Sequence, residues 1–326
     1  MGLAKRALHY VGYCTCLISL HNKLYPRRNV IILCAHEGKT FPLCVNYLCK
    51  NCKVISLDDF LEIHRNNAAI PENAVVITFD DGYRDNYTTV YPILKKYKMP
   101  ATIFLTVNMI GTEKVFYSSK VRFAITNTKK QFVQMNAKKW KLTTPGSREA
   151  ASQELCKSLK QMPEQPRNHK VDELIASLDV ELDETKLPQM LTWEQVKEMS
   201  DNGITFGAHT LSHAMLTKIP LEDARKEIVE SKRVLEEKIQ KPVKYFAYPY
   251  GTETDFNEDI KNIVRESGYT CALTFIAGYG DHNSDIFTLG RMALYVNKPD
   301  LAFALSSLQW RLCAALKERG ILRRRL

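Results

Sequence analysis

A nearly unbroken apolar run, Ala74 to Phe79 (AVVITF), ends abruptly in two adjacent carboxylates and a glycine, Asp80-Asp81-Gly82. A β-branched run without polar alternation is the pattern of a strand buried on both faces, which belongs to a parallel sheet covered by helices. Successive strand side chains point to opposite faces, so two neighbouring acids serve one pocket only if the backbone leaves the strand there. Gly82 supplies that turn. Carboxylates at the C-terminal mouth of a parallel strand lie where α/β folds place their chemistry. The competing reading is a solvated acidic turn.

The rest of the chain repeats the same grammar. Asn29 to Ala35 (NVIILCA) predicts a first strand ending at His36. Further strands are predicted over Val54–Leu57, Ala101–Val107, Ile204–Gly207, Val243–Ala247 and Tyr269–Phe275. Helices fall between them: Pro42–Leu48, one starting at Asp58, Tyr91–Tyr97, one opened by the capping box Thr192-Trp193-Glu194-Gln195, and Pro220–Gln240. Strand, helix, strand at short spacing means parallel βαβ units and an α/β fold. Residues 111–190 break the rhythm. They are Lys-rich, interrupted at Pro145-Gly146, Pro163, Pro166 and Pro188, and read as a mostly helical insertion to which no chemistry is assigned. The organisation predicted is a basic amphipathic segment over 1–28, a main domain over 29–298 and a basic C-terminal helix over 299–326.

Charge sharpens that division. The net charge is +10. Residues 1–28 hold five bases and no acid, and residues 311–326 hold six bases and one acid. The body between them balances, unlike a nucleic-acid-binding surface. Both ends are also apolar, with Leu17, Ile18, Leu20 and Tyr25 at one and Leu301, Phe303, Leu308 and Trp310 at the other. Basic amphipathic helices of this kind lie on anionic lipid, so peripheral membrane association through the termini is an expectation. Nine cysteines, an odd number, argue against a disulfide framework and for a reducing, cytoplasmic setting. Cys44, Cys49 and Cys52 include a Cys-x-x-Cys, but no second pair follows at zinc-ribbon spacing.

His209 and His213 come directly after a predicted strand, in Gly-Ala-His-Thr-Leu-Ser-His. Four residues apart, both imidazoles can face one side of a helical turn and share one metal ion. Two surface histidines are the simpler alternative. Both pairs, however, sit at the ends of parallel strands, and one rim would gather them. Two His and one Asp with an open position for water make a catalytic first-row metal site, Zn²⁺ above all. Such an ion lowers the pKa of water from 15.7 to about 7. One acid would bind it and the other would accept the proton.

Thr78-Phe79-Asp80-Asp81-Gly82, the paired histidines and Phe246-Ala247-Tyr248-Pro249-Tyr250-Gly251 together resemble the polysaccharide deacetylase family, carbohydrate esterase family four, from about Val30 to Leu294. The resemblance implies a distorted (β/α) barrel and attack of metal-bound water on the N-acetyl group of an amino sugar in a polysaccharide, oligosaccharide or glycolipid. It implies Asp80 as general base, Asp81, His209 and His213 as metal ligands, and the Tyr250 backbone N–H as oxyanion donor. Two places depart from the family pattern. The Arg that often orients the base is replaced by Ala247, and Arg291 is the candidate substitute. The late Leu-x-x-His that supplies the acid is missing, and His36 takes that role, as in permuted relatives. Alternatives on the same scaffold are hydrolysis of another amide or an O-acetyl ester, and a catalytically impaired carbohydrate-binding homologue.

Overall fold

A computed structural model describes residues 17–294, 298–306 and 308. The expectations placed on residues 1–16 and on the basic stretch 311–326 lie outside the described residues.

Among the described residues, an eight-stranded sheet contains β1 (Ile31–Ala35), β2 (Lys53–Val54), β3 (Ala74–Phe79) and β4 (Thr102–Leu105). A separate antiparallel hairpin, β5 (Phe132–Met135) with β6 (Lys138–Lys141), interrupts it before β7 (Thr205–Ala208), β8 (Tyr245–Ala247), β9 (Cys271–Leu273) and β10 (Met292–Ala293). The order is β10-β1-β3-β4-β7-β8-β9, with β2 added to β3, and these neighbours pair in parallel. The sheet curls into a distorted (β/α) barrel. The segment from Ile286 to Arg291 carries the curl across its open side: Ala272 N–H donates to Ile286 O at 2.9 Å and Thr274 N–H to Leu289 O at 2.8 Å. The same segment then enters β10, which pairs with β1 at Leu33 and Cys34.

Alternation along the strands creates two cores. Ile31, Leu33, Val75, Ile77, Phe79, Ile103 and Leu105 face the surrounding helices. Val30, Ile32, Ala74, Val76, Phe104, Tyr245, Ala247 and Leu273 fill the barrel interior together with Leu57, Phe60 and Leu61 from the helix Leu57–Asn66. Phe104 closes the interior against Gly207, where a Cβ would lie 2.5 Å from the Phe104 ring.

The structure shortens two predicted strands and adds a hairpin to the helical insertion. The predicted strand Val54–Leu57 ends at Val54, because Ser56 and Asp59 form a reciprocal capping box that starts a helix at Leu57. The predicted strand Tyr269–Phe275 pairs only over Cys271–Leu273, since Phe275 N–H is drawn off to Gly251 O at 2.8 Å. The 111–190 insertion contains the β5–β6 hairpin as well as helices Tyr117–Asn127, Pro145–Lys160 and Glu164–Ser177. These pack a core of their own, built on Val121, Ile125, Val133, Leu155, Leu159, Leu174 and Ile175. Among the described residues no helix is long and apolar enough to cross a membrane.

Candidate active site

Strand parity delivers the first carboxylate. Ala74 and Val76 point into the barrel, and Asp80 follows two steps beyond Thr78 at the mouth of the same face. There it is buried against Arg291, which donates Nη1 to Oδ1 at 2.7 Å and Nη2 to Oδ2 at 2.8 Å. Cys34 Sγ lies 3.3 Å from Oδ2. Arg291 is itself fixed by Nε donating to Thr274 O at 2.8 Å. Burial alone would raise the Asp80 pKa, but the Arg291 guanidinium and then His209 reverse this and hold it below the usual carboxylate range.

The second carboxylate escapes the parity rule one residue earlier than expected. Asp81 is already left-handed, with φ of +72°, and Gly82 follows at +86°. A Cβ at Gly82 would lie 2.6 Å from the end of the Leu105 side chain and 2.8 Å from that of Ile110, so any other residue would press on both besides straining the backbone. Asp81 thereby turns out of the strand into the cleft next to its neighbour.

The histidines arrive by a loop, which corrects the expectation of a helical turn. Thr210 and His213 both have φ of +61°. Glu227 clamps the loop between them: its carboxylate accepts from the Leu211 and Ser212 N–H groups, each at 2.9 Å, and from Ser212 Oγ at 2.7 Å. His209 Nδ1 pairs with Ala247 O at 2.7 Å, which fixes its proton on that side and leaves Nε2 as a lone-pair donor. The Nε2 atoms of His209 and His213 stand 3.8 and 3.5 Å from Asp81 Oδ1. Burial lowers both imidazole pKa values, so the rings are neutral at pH 7.

These three side chains fit a metal ion. Their ligand atoms lie within 4.8 Å of one another. Asp81 Oδ1 is buried without a hydrogen-bond partner, although a buried acceptor normally has one. Separations of this size are too long for hydrogen bonds and suit donors each ~2 Å from a common ion.

Tyr250 adjoins the triad on the turn after β8, its ring 4.7 Å from that of His213 at 78°. His36 is exposed beyond the end of β1, its ring 6.1 Å from Phe275. A cleft of about 680 Å³ is lined by His36, Asp81, His213, Tyr250 and Phe275. A second of about 380 Å³ opens beside His213, Tyr250 and Phe116. Either has room for a sugar ring. Of the cysteines noted above, Cys44 is buried, Cys49 exposed and Cys52 half-buried, and burial pushes the Cys52 thiol up to about 12.

Several residues around the cleft carried no signal in the sequence. Tyr117, Lys160 and Arg167 of the insertion reach it, with Lys160 Nζ 4.1 Å from the Tyr250 ring centroid and the Arg167 guanidinium 4.6 Å from that of Tyr117. Asp255 pairs with Lys160 across 95 residues. Glu227 sits in a charge-rich helix where nothing local distinguishes it from its neighbours.

The sequence model of a family described as polysaccharide deacetylases matches residues 67–272. The chain is 24% identical over 232 residues to Bacillus subtilis YxkH, which carries the polysaccharide deacetylase name; the match covers 71% of this chain and 55% of that protein. A 47-residue segment is 49% identical to the poly-beta-1,6-N-acetyl-D-glucosamine N-deacetylase of Escherichia coli, covering 14% of this chain and 7% of that one. The chain thus spans about half the length, or far less, of these curated relatives. Among solved structures, IcaB from Ammonifex degensii superposes with a TM-score of 0.57 at 18% identity, covering 86% of this chain and 99% of that one. The Streptococcus pyogenes deacetylase PplD, in complex with acetate, does so with 0.56 at 18% identity and the same coverage. At this level of identity the likeness establishes the barrel fold.

Proposed function

Since the chain belongs to the polysaccharide deacetylase family, we propose that it hydrolyses the N-acetyl group of an amino-sugar unit in a saccharide or glycolipid, using one divalent metal ion, zinc first among candidates. The observation that carries this reading is the convergence of His209 and His213 on the orphaned Asp81 Oδ1, beside the Arg291-held Asp80. The ion, when bound, would acidify a water molecule and polarise the acetamide carbonyl.

The chain's own groups supply the rest. Asp80 stays ionised through the neutral range, the form that can accept the proton of the attacking water; the same depression makes it a weaker base, so the drive for the transfer would come from acidification of that water by the ion. Arg291 grips both carboxylate oxygens, so the base is held to one orientation. Tyr250 offers its backbone N–H to the developing oxyanion, a contribution of roughly 10²–10³ in rate for one donor. His36, at the solvent edge of the cleft, returns a proton to the departing amine. The Escherichia coli relative's name, with its segment of 49% identity, favours N-acetylglucosamine units as the substrate.

The site also admits other acetyl amides and O-acetyl esters, and a substrate panel separates them. Acetate release from N-acetylglucosamine oligosaccharides should disappear on chelation and return with added Zn²⁺ or another divalent first-row ion. Release that survives complete chelation would reject this chemistry. For location we propose a cytoplasmic protein resting on anionic membrane. Supporting the membrane contact is an exposed apolar edge on the helix Leu17–Leu24, where Leu20 is 55% and Leu24 64% exposed, with Lys23 beside them.

A further inference from the structure

Tyr250 occupies backbone that a bulky residue does not hold by itself. Its φ is +63° and Gly251 follows at +62°, a conformation that persists only where the surroundings impose it. Below the turn, Gly251 O accepts from Phe275 N–H at 2.8 Å, and a Cβ on Gly251 would lie 2.5 Å from that nitrogen. Beyond it, Asp255 accepts from Thr252 N–H at 2.8 Å and from the Thr252 hydroxyl. The Asp255 side chain is 1% exposed, and its charge is matched by Lys160, whose Nζ lies 2.9 and 3.1 Å from the two carboxylate oxygens. Lys160 is the last residue of the helix Pro145–Lys160, part of the insertion, and its side chain is only 16% exposed. The same ammonium sits 4.1 Å from the Tyr250 ring centroid, and that ring packs edge-on against His213.

We propose that Lys160 is a positioning residue for the hydrolysis: through Asp255 and the Tyr250 ring it holds the Tyr250 turn, and the oxyanion-binding N–H on it, in place beside the metal ligands. The insertion then completes the active site of the barrel. The proposal rests on the deacetylase reading for its catalytic consequence, and on geometry alone for the ordering of the turn. A buried carboxylate without its counter-charge is costly, so loss of Lys160 forces Asp255 towards solvent. Asp255 then releases Thr252, and the left-handed backbone at Tyr250 loses its support.

The test uses the full chain with Lys160→Met, Lys160→Arg, Asp255→Asn and the double variant Lys160→Met/Asp255→Asn, which leaves no unpaired buried charge and serves if Lys160→Met does not fold. Hydrogen–deuterium exchange of residues 248–256 is measured beside kinetics of acetate release from an N-acetylglucosamine oligosaccharide. Lys160→Met should speed exchange in 248–256 about tenfold or more, leaving β1 and β3 unchanged. It should lower kcat roughly 10–100-fold with KM within about threefold, part of what one oxyanion donor contributes. Lys160→Arg should restore most of both, and the double variant should be no worse than Lys160→Met, since the two groups act as one unit. Unchanged exchange in 248–256, a loss confined to KM, or additive losses in the double variant would each overturn the proposal. If the wild-type chain releases no acetate from any acetylated substrate, the deacetylase reading fails, and exchange alone then decides whether Lys160 orders the turn.

Discussion

Arg291→Met would leave the Asp80 carboxylate buried with its guanidinium partner gone. Both side chains are buried, and the pair is bidentate at 2.7 and 2.8 Å. Removing one member of such a pair costs roughly 3–5 kcal/mol, because the other charge stays desolvated. At ~2 °C per kcal/mol for a chain of this size, Tm should fall by about 6–10 °C at neutral pH. The sign of the pH dependence follows from the direction of the shift. In the native protein burial would raise the Asp80 pKa, but Arg291 and then His209 depress it. Its stabilising contribution is therefore present above the ordinary carboxylate value and lost as pH falls through the depressed one. In the variant the burial cost is opposed only by His209 and His36, so the carboxyl rises from its native value and is more readily buried neutral in acid. The Tm gap between wild type and variant should be widest near pH 7.5 and shrink as pH falls towards 4.5, measured by circular dichroism on metal-free protein. Adding Asp80→Asn to Arg291→Met should narrow the gap at pH 7.5. A gap of constant size at all pH values, or a variant as stable as wild type near neutrality, would refute the reasoning.

Asp80→Asn should lower kcat for acetate release by roughly 10²–10⁴ while metal content, read by elemental analysis, stays near wild type. His213→Ala should instead empty the site, with metal content falling in step with activity. His36→Gln should cost about 10²-fold in kcat if its imidazole protonates the amine, and an unchanged rate would pass that role to another group. Leu20→Ser with Leu24→Ser should weaken co-sedimentation with anionic liposomes and leave acetate release from a soluble oligosaccharide intact, and undiminished co-sedimentation would dispose of the membrane proposal.

How much of this was legible beforehand depends on the range of the interaction. The β3 strand was readable because burial on both faces selects its six residues one by one, and Asp80 inherits an inward direction from simple alternation. The capping box at Thr192 is likewise local: Thr192 Oγ1 accepts from Gln195 N–H, and the Gln195 side chain answers to Thr192 N–H. The left-handed Asp81 was not readable, since Gly82 announces a turn without saying which residue begins it. Nor was the loop that carries His209 and His213, because the clamp on it comes from Glu227, on another element. The β5–β6 hairpin was hidden by its composition. Its second strand is Lys-Lys-Trp-Lys, and its turn uses Asn136 at φ of +54° in place of glycine. The pairing of Lys160 with Asp255 joins residues 95 apart, which no window along the chain can hold.

The segment that sews β9 to β1 has a consequence for how relatives of this chain are recognised. Arg291 rides on that seam, so the cation that neutralises Asp80 is installed only when the last strands of the barrel come together. The family match stops at residue 272, nineteen positions short of it, and starts after His36. A chain cut after residue 272 would keep both acids, both histidines and the Pro-Tyr-Gly turn, and would score as an intact family member. It would nonetheless carry an unneutralised carboxylate at its centre and an unfastened barrel around it.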